Sequence, residues 1–269
     1  MIGAGNVAHH LAPAILKAGM NLCQIYSRSI ESARELGMKT GISYTADVFA
    51  IYPDCDIYIF CVSDDALLSL YKSIRIKKDA IVLHTSGSLP MEVFKGNARR
   101  YGVLYPLQTF SKRRSLEFFE IPLCIEASDK STFTVLKKLA EELSGNVREM
   151  NSATRKKMHL AAVFANNFTN HLFGMAGKIL EEEGLEFALL RPLIFETAHK
   201  VMLMSPEDAQ TGPARRGDDG IIDAHTLLLK HNKKLRTIYT LMSDSIREMY
   251  TKPDAGTETD DKQMTLTLW

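Results

Sequence analysis

Residues 1–16 read MIGAGNVAHHLAPAIL, and their reading decides the fold. Gly3, Gly5 and Ala8 fill the pattern G-x-G-x-x-[G/A], and an amphipathic helical stretch follows at once. In a strand-to-helix turn of this kind the first glycine permits the tight bend. The second lets a pyrophosphate approach the backbone, and a small third residue lets helix and strand pack closely. The helix N-terminus adds free N–H groups and partial positive charge. Gly3, Ala4, Gly5, Asn6 and Val7 are therefore the expected phosphate-binding residues. A central first strand needs about five residues, yet only Met1 and Ile2 precede the turn. The expectation is a severely shortened first strand or a native polypeptide that starts upstream.

Outward from this turn, the chain alternates. Residues 21–27, 56–62, 80–84, 102–105, 121–126 and 146–150 read as strands. Residues 30–37, 64–74 and 131–143 read as helices. Strand and helix alternating over 1–150 predict an α/β Rossmann-like, doubly wound domain with a parallel or mostly parallel sheet. From residue 152 the strand signal stops. Residues 154–183 read as one long helix, 185–203 as another with a kink or a break near Arg191 at Pro192, and 222–230 and 234–250 as two more. The glycine-punctuated stretch 206–220 reads as a loop. The expected organisation is 1–150 as the nucleotide-binding domain, 151–252 as an all-α domain for substrate and dimerisation, and 253–269 as a disordered tail.

Composition narrows the function. The chain has 269 residues, 45% hydrophobic and 24% charged, with a net charge of +1. That is a globular composition without a basic footprint for nucleic acid. No apolar run reaches the length of a membrane span, and no basic segment precedes an apolar one as in a secretory leader. Cys23, Cys55, Cys61 and Cys124 show no metal-like spacing and read as reduced thiols of a cytoplasmic protein. No histidine set has metal-binding spacing, so no metal is expected.

The second strand bears on the cofactor. An NAD-binding unit places Asp or Glu at its end to hold the ribose hydroxyls. Here Ser27-Arg28-Ser29 stands instead. No acid repels a 2′-phosphate, and a guanidinium can pair with one, so NADP is expected over NAD. The bland alternative makes Arg28 a solvated cation. Val62 and Ser63 end the next strand, where a cofactor passes in doubly wound folds; Ser63 reads equally well as a helix N-cap. Ser86, in His84-Thr85-Ser86-Gly87-Ser88, is either a cofactor contact or part of a polar turn. Gln108 and Thr109, in the segment 105–110 (YPLQTF), are candidate substrate contacts.

In the long helix, α-helical geometry places His159, Asn166 and Asn170 within about 40° of one another, with Asn167 to one side. Polar groups among Ala, Val and Phe need partners, which either a ligand or an interhelical network supplies. His159 is the candidate general acid/base, with Asn166 and Asn170 orienting a carbonyl or carboxamide. In residues 211–218 (TGPARRGD), Arg216 is the candidate anion anchor, and Asp218 either positions it or caps the next helix.

GAGNVA, YSRS, HTSGS, YPLQTF, HLAAVFANNFTNH and TGPARRGD together resemble the NADP oxidoreductases that join a Rossmann-like domain to a C-terminal helical domain of the DUF2520 type. The likeness covers nearly the whole chain and extends more distantly to pyrroline-5-carboxylate reductase, F420-dependent NADP oxidoreductase and 6-phosphogluconate dehydrogenase-like proteins. It implies a homodimer formed through the helical domain and a small-molecule substrate in an interdomain cleft. The hydroxyacid dehydrogenases of the wider group use a helical lysine as acid/base; here the corresponding helix carries His159 and asparagines. Two alternatives to hydride transfer stay open: an NADP-binding sensor or assembly protein, and an F420-dependent NADP reductase.

Overall fold

The computed structural model describes residues 1–251. The backbone divides into two compact units, Met1–Asn170 and a second beginning at His171. The stretch 253–269 lies outside the described residues.

In the first unit, helix α1 (Asn6–Lys17) follows the glycine turn. Then come β1 (Ile25–Tyr26), α2 (Ile30–Thr40), β2 (Tyr44–Thr45), β3 (Ile57–Phe60), α3 (Asp64–Ser73) and β4 (Ile81–His84). The unit continues with β5 (Arg100–Pro106), β6 (Leu123–Ala127), α4 (Lys130–Leu143), β7 (Val147–Glu149) and α5 (Ser152–Ala162). Strands β3 to β7 are hydrogen-bonded in numerical order, and β1 pairs with β2. Ile2 forms parallel bridges to both Tyr26 and Phe60. The first strand is thus reduced to one residue at the centre of a mostly parallel Rossmann-like sheet. Its bonds are nonetheless complete: Ile2 N–H donates to Ile59 at 2.8 Å, and Cys61 N–H to Ile2 at 2.7 Å. Among the described residues, the one departure from parallel pairing is β5 with β6.

The strands are apolar because both faces are covered. Phe60, Leu83, Leu104, Leu123 and Ile125 are buried, as are Ala8, Leu11, Ala12 and Ile15 on the inner face of α1. Pro13 lies inside α1 and has no N–H to give the carbonyl of His9. Lys39 Nζ donates to that carbonyl at 3.2 Å instead. Two sequence expectations shift here. Helix α2 does not stop at Gly37 but runs to Thr40 and ends on Gly41 at φ 71°; an interior glycine costs only about 1 kcal/mol, too little to end a packed helix. Strand β2 was not expected, because two residues are too short to show alternation.

Beyond α5 the helix continues as a π-helical turn, Val163–Phe168, and then α6 (Thr169–Glu182). The second unit continues with α7 (Arg191–Leu203), α8 (Pro206–Ala209), α9 (Pro213–Arg216), α10 (Asp219–Leu228) and α11 (Lys233–Tyr250). Pro192 starts α7 rather than kinking it, as suits a residue whose missing N–H is no loss in a first turn. The expected loop 206–220 contains the short helices α8 and α9. Among the described residues no helix is long and apolar enough to cross a membrane.

Candidate functional site

Gly3 is the residue on which the nucleotide turn depends. Its φ is 108°, and a Cβ there would lie 2.3 Å from the carbonyl oxygen of Cys61. Neither the backbone angle nor the contact admits another residue. Gly5 caps α1 with no side-chain hydrogen bond, and the first helical bond runs from His9 N–H to Gly5 at 3.0 Å. The N–H groups of the first turn therefore face outward without intrahelical partners.

A cleft of about 450 Å³ opens beside this turn. It brings together Gly3, Ala4, Gly5, Ser27, Arg28, Val62 and Ser63 from three separate strand ends. Arg28 is exposed and makes no ion pair among the described residues. Ser63 sits at the N-cap of α3, but its side chain makes no cap hydrogen bond, which leaves its hydroxyl free. Asn6 and Val7 lie in the first turn of α1, Asn6 exposed and Val7 packed against the core. The Ser29 hydroxyl caps α2 by accepting from Ser32 N–H at 3.1 Å and donates to Glu31 at 2.7 Å. The Ser86 hydroxyl accepts from Ser88 N–H and Leu89 N–H, each at 3.0 Å. Both hydroxyls are engaged by their own turns. Ala66, Ser69, Leu70 and Ser73 also line the cleft. Their helical spacing on α3 was a readable signal for one shared face.

The donor set fits a dinucleotide phosphate: backbone N–H groups at a helix start, a bare glycine floor, a free hydroxyl and an unpaired guanidinium. Buried Cys61 has its thiol pushed up to about 12 by desolvation, so it is an inert wall.

A second cluster joins β4, β5, β6 and α5. Arg155 is 1% exposed. It donates to Glu126 Oε2 at 2.5 Å and to the Leu89 carbonyl at 2.5 Å. Ser152 donates to the same carboxylate oxygen at 2.6 Å and accepts from Met91 N–H at 2.9 Å. This network fixes the start of α5 on the sheet. Above it, His159 is half-buried, with Nδ1 3.0 Å from the Tyr105 hydroxyl. His84 is fully buried, and its Nδ1 accepts from Ser86 N–H at 3.1 Å. Desolvation, helped by the Arg155 charge, lowers its pKa to about 3, so it is neutral. Sequence reasoning singled out neither Tyr105 nor Arg155. An arginine in a polar helical start gives no sign that it is buried.

The π-turn corrects the expected helical stripe. A wider turn changes the angular step, so the α-helical register linking His159 to Asn166 and Asn170 does not hold across Val163–Phe168. The surroundings are not a dry core either: Leu160, Phe164 and Phe168 are 57%, 62% and 49% exposed. Asn166 is half-buried, while Asn167 and Asn170 are exposed. Gln108 and Thr109 are exposed on the loop after β5, where Gln108 Oε1 accepts from Thr109 N–H at 2.8 Å.

In the second unit, Arg216 pairs with Asp218 at 2.7 Å, with 59% and 36% of the side chains exposed. Asp218 makes no cap bond to α10, so of its two expected roles it takes the pairing one. The neighbouring Arg215 donates to the Gln210 carbonyl and lies 4.7 Å from the centre of the Tyr250 ring.

Residues 1–87 match the family model of coenzyme F420-dependent NADP oxidoreductases, and residues 121–246 match a domain of unknown function, DUF2520. No protein of curated function matches the chain. Among solved structures, a Bacteroides fragilis protein designated an NADP oxidoreductase is 44% identical over 92% of this chain and 96% of its own, with a TM-score of 0.88. The Thermotoga maritima protein TM1727 is 25% identical over 93% and 98%, with a TM-score of 0.78. An imine reductase from Myxococcus stipitatus, in complex with NADP+, shares the fold at 16% identity over 92% of each chain, with a TM-score of 0.62. On the nucleotide turn, the sheet order and this likeness over nearly its whole length, the chain belongs to the NADP oxidoreductase family that joins a Rossmann-like domain to a DUF2520 domain.

Proposed function

We propose that the chain binds NADP in the cleft beside Gly3 and catalyses hydride transfer to or from a small anionic carbonyl, imine or hydroxyacid. The observation that carries this reading is the combination of a side-chain-free turn at Gly3 with an unpaired Arg28 on the same cleft. The bound nicotinamide supplies or takes the hydride; the chain orients it and handles the proton. The turn and Ser63 hold the diphosphate, and Arg28 holds the 2′-phosphate. His159 holds the proton for the substrate, with Asn166, Asn170 and Asn167 as amide partners and Gln108 and Thr109 as further substrate contacts. Arg216, positioned by Asp218, is the proposed anion anchor on the second unit.

The test is a thermal-shift series with NADP, NADPH, NAD and NADH, followed by NADPH oxidation across keto acids and imines. A bound ligand raises apparent stability by mass action. Larger shifts with the phosphorylated pair support the reading, and equal shifts for all four defeat it. The family model matched by residues 1–87 favours a second reading, reduction of coenzyme F420 by NADPH. The absorbance of F420 on mixing separates the two.

We also propose a homodimer through the 151–252 region. Phe195, Met202, Leu203 and Leu228 there are 71%, 80%, 70% and 79% exposed, and large apolar side chains of this kind are what a subunit interface covers. A second copy is the proposed occupant, and sedimentation of the purified chain as a monomer overturns it. The cytoplasm is the proposed compartment, since Cys23, Cys55, Cys61 and Cys124 are all free thiols.

A further inference from the structure

His159 is set in place by two residues that have no role in the reading above. Tyr105, near the end of β5, is buried, and its hydroxyl lies 3.0 Å from Nδ1 of His159. The two rings meet edge to face with centroids 5.9 Å apart. Gly87 forms the third wall. A Cβ on Gly87 would lie 2.7 Å from Cγ and Nδ1 of His159 and 2.9 Å from Cζ of Tyr105. Any side chain at position 87 would have to push the imidazole or the phenol aside.

The hydrogen bond between them has a direction. The Tyr105 hydroxyl has no other partner among the described residues. Were Nδ1–H the donor, the buried phenol hydrogen would be left without an acceptor. With the hydroxyl donating, no buried polar group is stranded. Burial raises the phenol above its ordinary range, so it remains a donor. A neutral imidazole that accepts at Nδ1 carries its hydrogen on Nε2. Nε2 has no protein partner among the described residues.

We infer that Tyr105 and Gly87 are positioning residues that fix neutral His159 as the Nε2–H tautomer and offer that N–H to an acceptor on the ligand. The inference rests on His159 facing the reacting ligand, and it sharpens the substrate class. An Nε2–H donor matches an atom with a free lone pair, a carbonyl oxygen or a neutral imine nitrogen. A protonated imine nitrogen has none. The structure therefore points to a neutral carbonyl or imine over a preformed iminium ion.

The experiment is long-range ¹H–¹⁵N correlation on the full chain labelled with ¹⁵N-histidine, at about pH 8, where an ordinary imidazole is neutral. His159→Gln identifies the signal. The expected result is a single Nε2–H tautomer in the unmodified protein, lost to a mixture in Tyr105→Phe. Gly87→Ala, which keeps the Tyr105 hydroxyl but crowds both rings, is expected to lose it too. Unchanged thermal shifts with NADPH show that both variants are folded. A mixed tautomer in the unmodified protein, or a Tyr105→Phe spectrum identical to it, overturns the inference. NADPH oxidation with glyoxylate and with a cyclic imine tests the underlying reading separately. His159→Gln that oxidises NADPH at the unmodified rate with either probe removes the proton role and leaves the tautomer result standing.

Discussion

Two arginine–carboxylate pairs occupy different settings in this chain. Arg155 and Glu126 join α5 to the sheet with 1% and 13% of their side chains exposed, whereas Arg216 and Asp218 lie on the glycine-punctuated segment of the second unit with 59% and 36% exposed. The first guanidinium is surrounded by protein acceptors: a carboxylate, a serine hydroxyl and the Leu89 carbonyl. Among the described residues the second has one partner, and more than half of its side chain is exposed. The same chemistry is thus sealed inside protein in one place and open to solvent in the other. The difference is burial, because water competes for an exposed pair and not for a buried one.

The largest expected effect comes from breaking the buried pair. Glu126→Ala leaves the Arg155 charge uncompensated and should destabilise the fold by about 3–5 kcal/mol. Urea unfolding measures this. Adding Arg155→Met should recover most of the loss, because replacing both partners with apolar groups is far cheaper than stranding one. Equal instability in the single and double variants would mean that the network matters for its geometry and not for its charge balance.

Next comes the unpaired guanidinium at the nucleotide cleft. Arg28→Ala should weaken NADPH binding by about 10- to 100-fold, the worth of one charge-assisted contact of roughly 1.5–3 kcal/mol. NADH binding should hardly change. Fluorescence titration with both cofactors tests this, and equal weakening would assign Arg28 to the shared diphosphate instead.

His84 extends the contrast to pH. Burial lowers its pKa to about 3, and the Arg155 charge adds to that. In the unfolded chain it titrates near 6.5. Between these values the unfolded state holds the proton and the native state does not. Its contribution to stability is therefore intact above about pH 6.5 and is lost as pH falls toward 3, at up to about 1.4 kcal/mol per unit. His84→Asn keeps an acceptor for Ser86 N–H and removes the titration. The stability difference between unmodified protein and variant should shrink or reverse from pH 7 to pH 5. A flat difference would show that His84 is hydrated in solution.

The contrast also explains what was legible in the sequence. The glycine turn, the alternation of strand and helix, and Arg28 at a strand end are local patterns, and local patterns survive in one dimension. Arg216 was visible because glycines punctuate its segment. Arg155 was not, because Glu126 and Leu89, which bury and pair it, come from distant parts of the chain. Tyr105 and Gly87 were within quoted segments, but only tertiary packing brings them to His159. The π-turn at Val163–Phe168 was hidden for a different reason: residue spacing was read with an α-helical step, and nothing in the composition signals a change of step.

The smallest expected effect belongs to the exposed pair. Asp218 sits at the N-terminus of α10, where loss of a capping side chain would ordinarily cost about 0.5–2 kcal/mol. It makes no cap bond, however; its carboxylate turns back to Arg216. The cap penalty therefore does not apply. What remains is a half-exposed ion pair, and surface changes of that kind fall within about 0.5 kcal/mol. Asp218→Ala should accordingly unfold in urea with the unmodified protein, under conditions where Glu126→Ala is clearly separated from it. A loss above about 2 kcal/mol would place Asp218 beside Glu126 among the structural carboxylates. Arg216 would then be a structural cation as well, and the argument for it as the substrate's anion anchor would go with it.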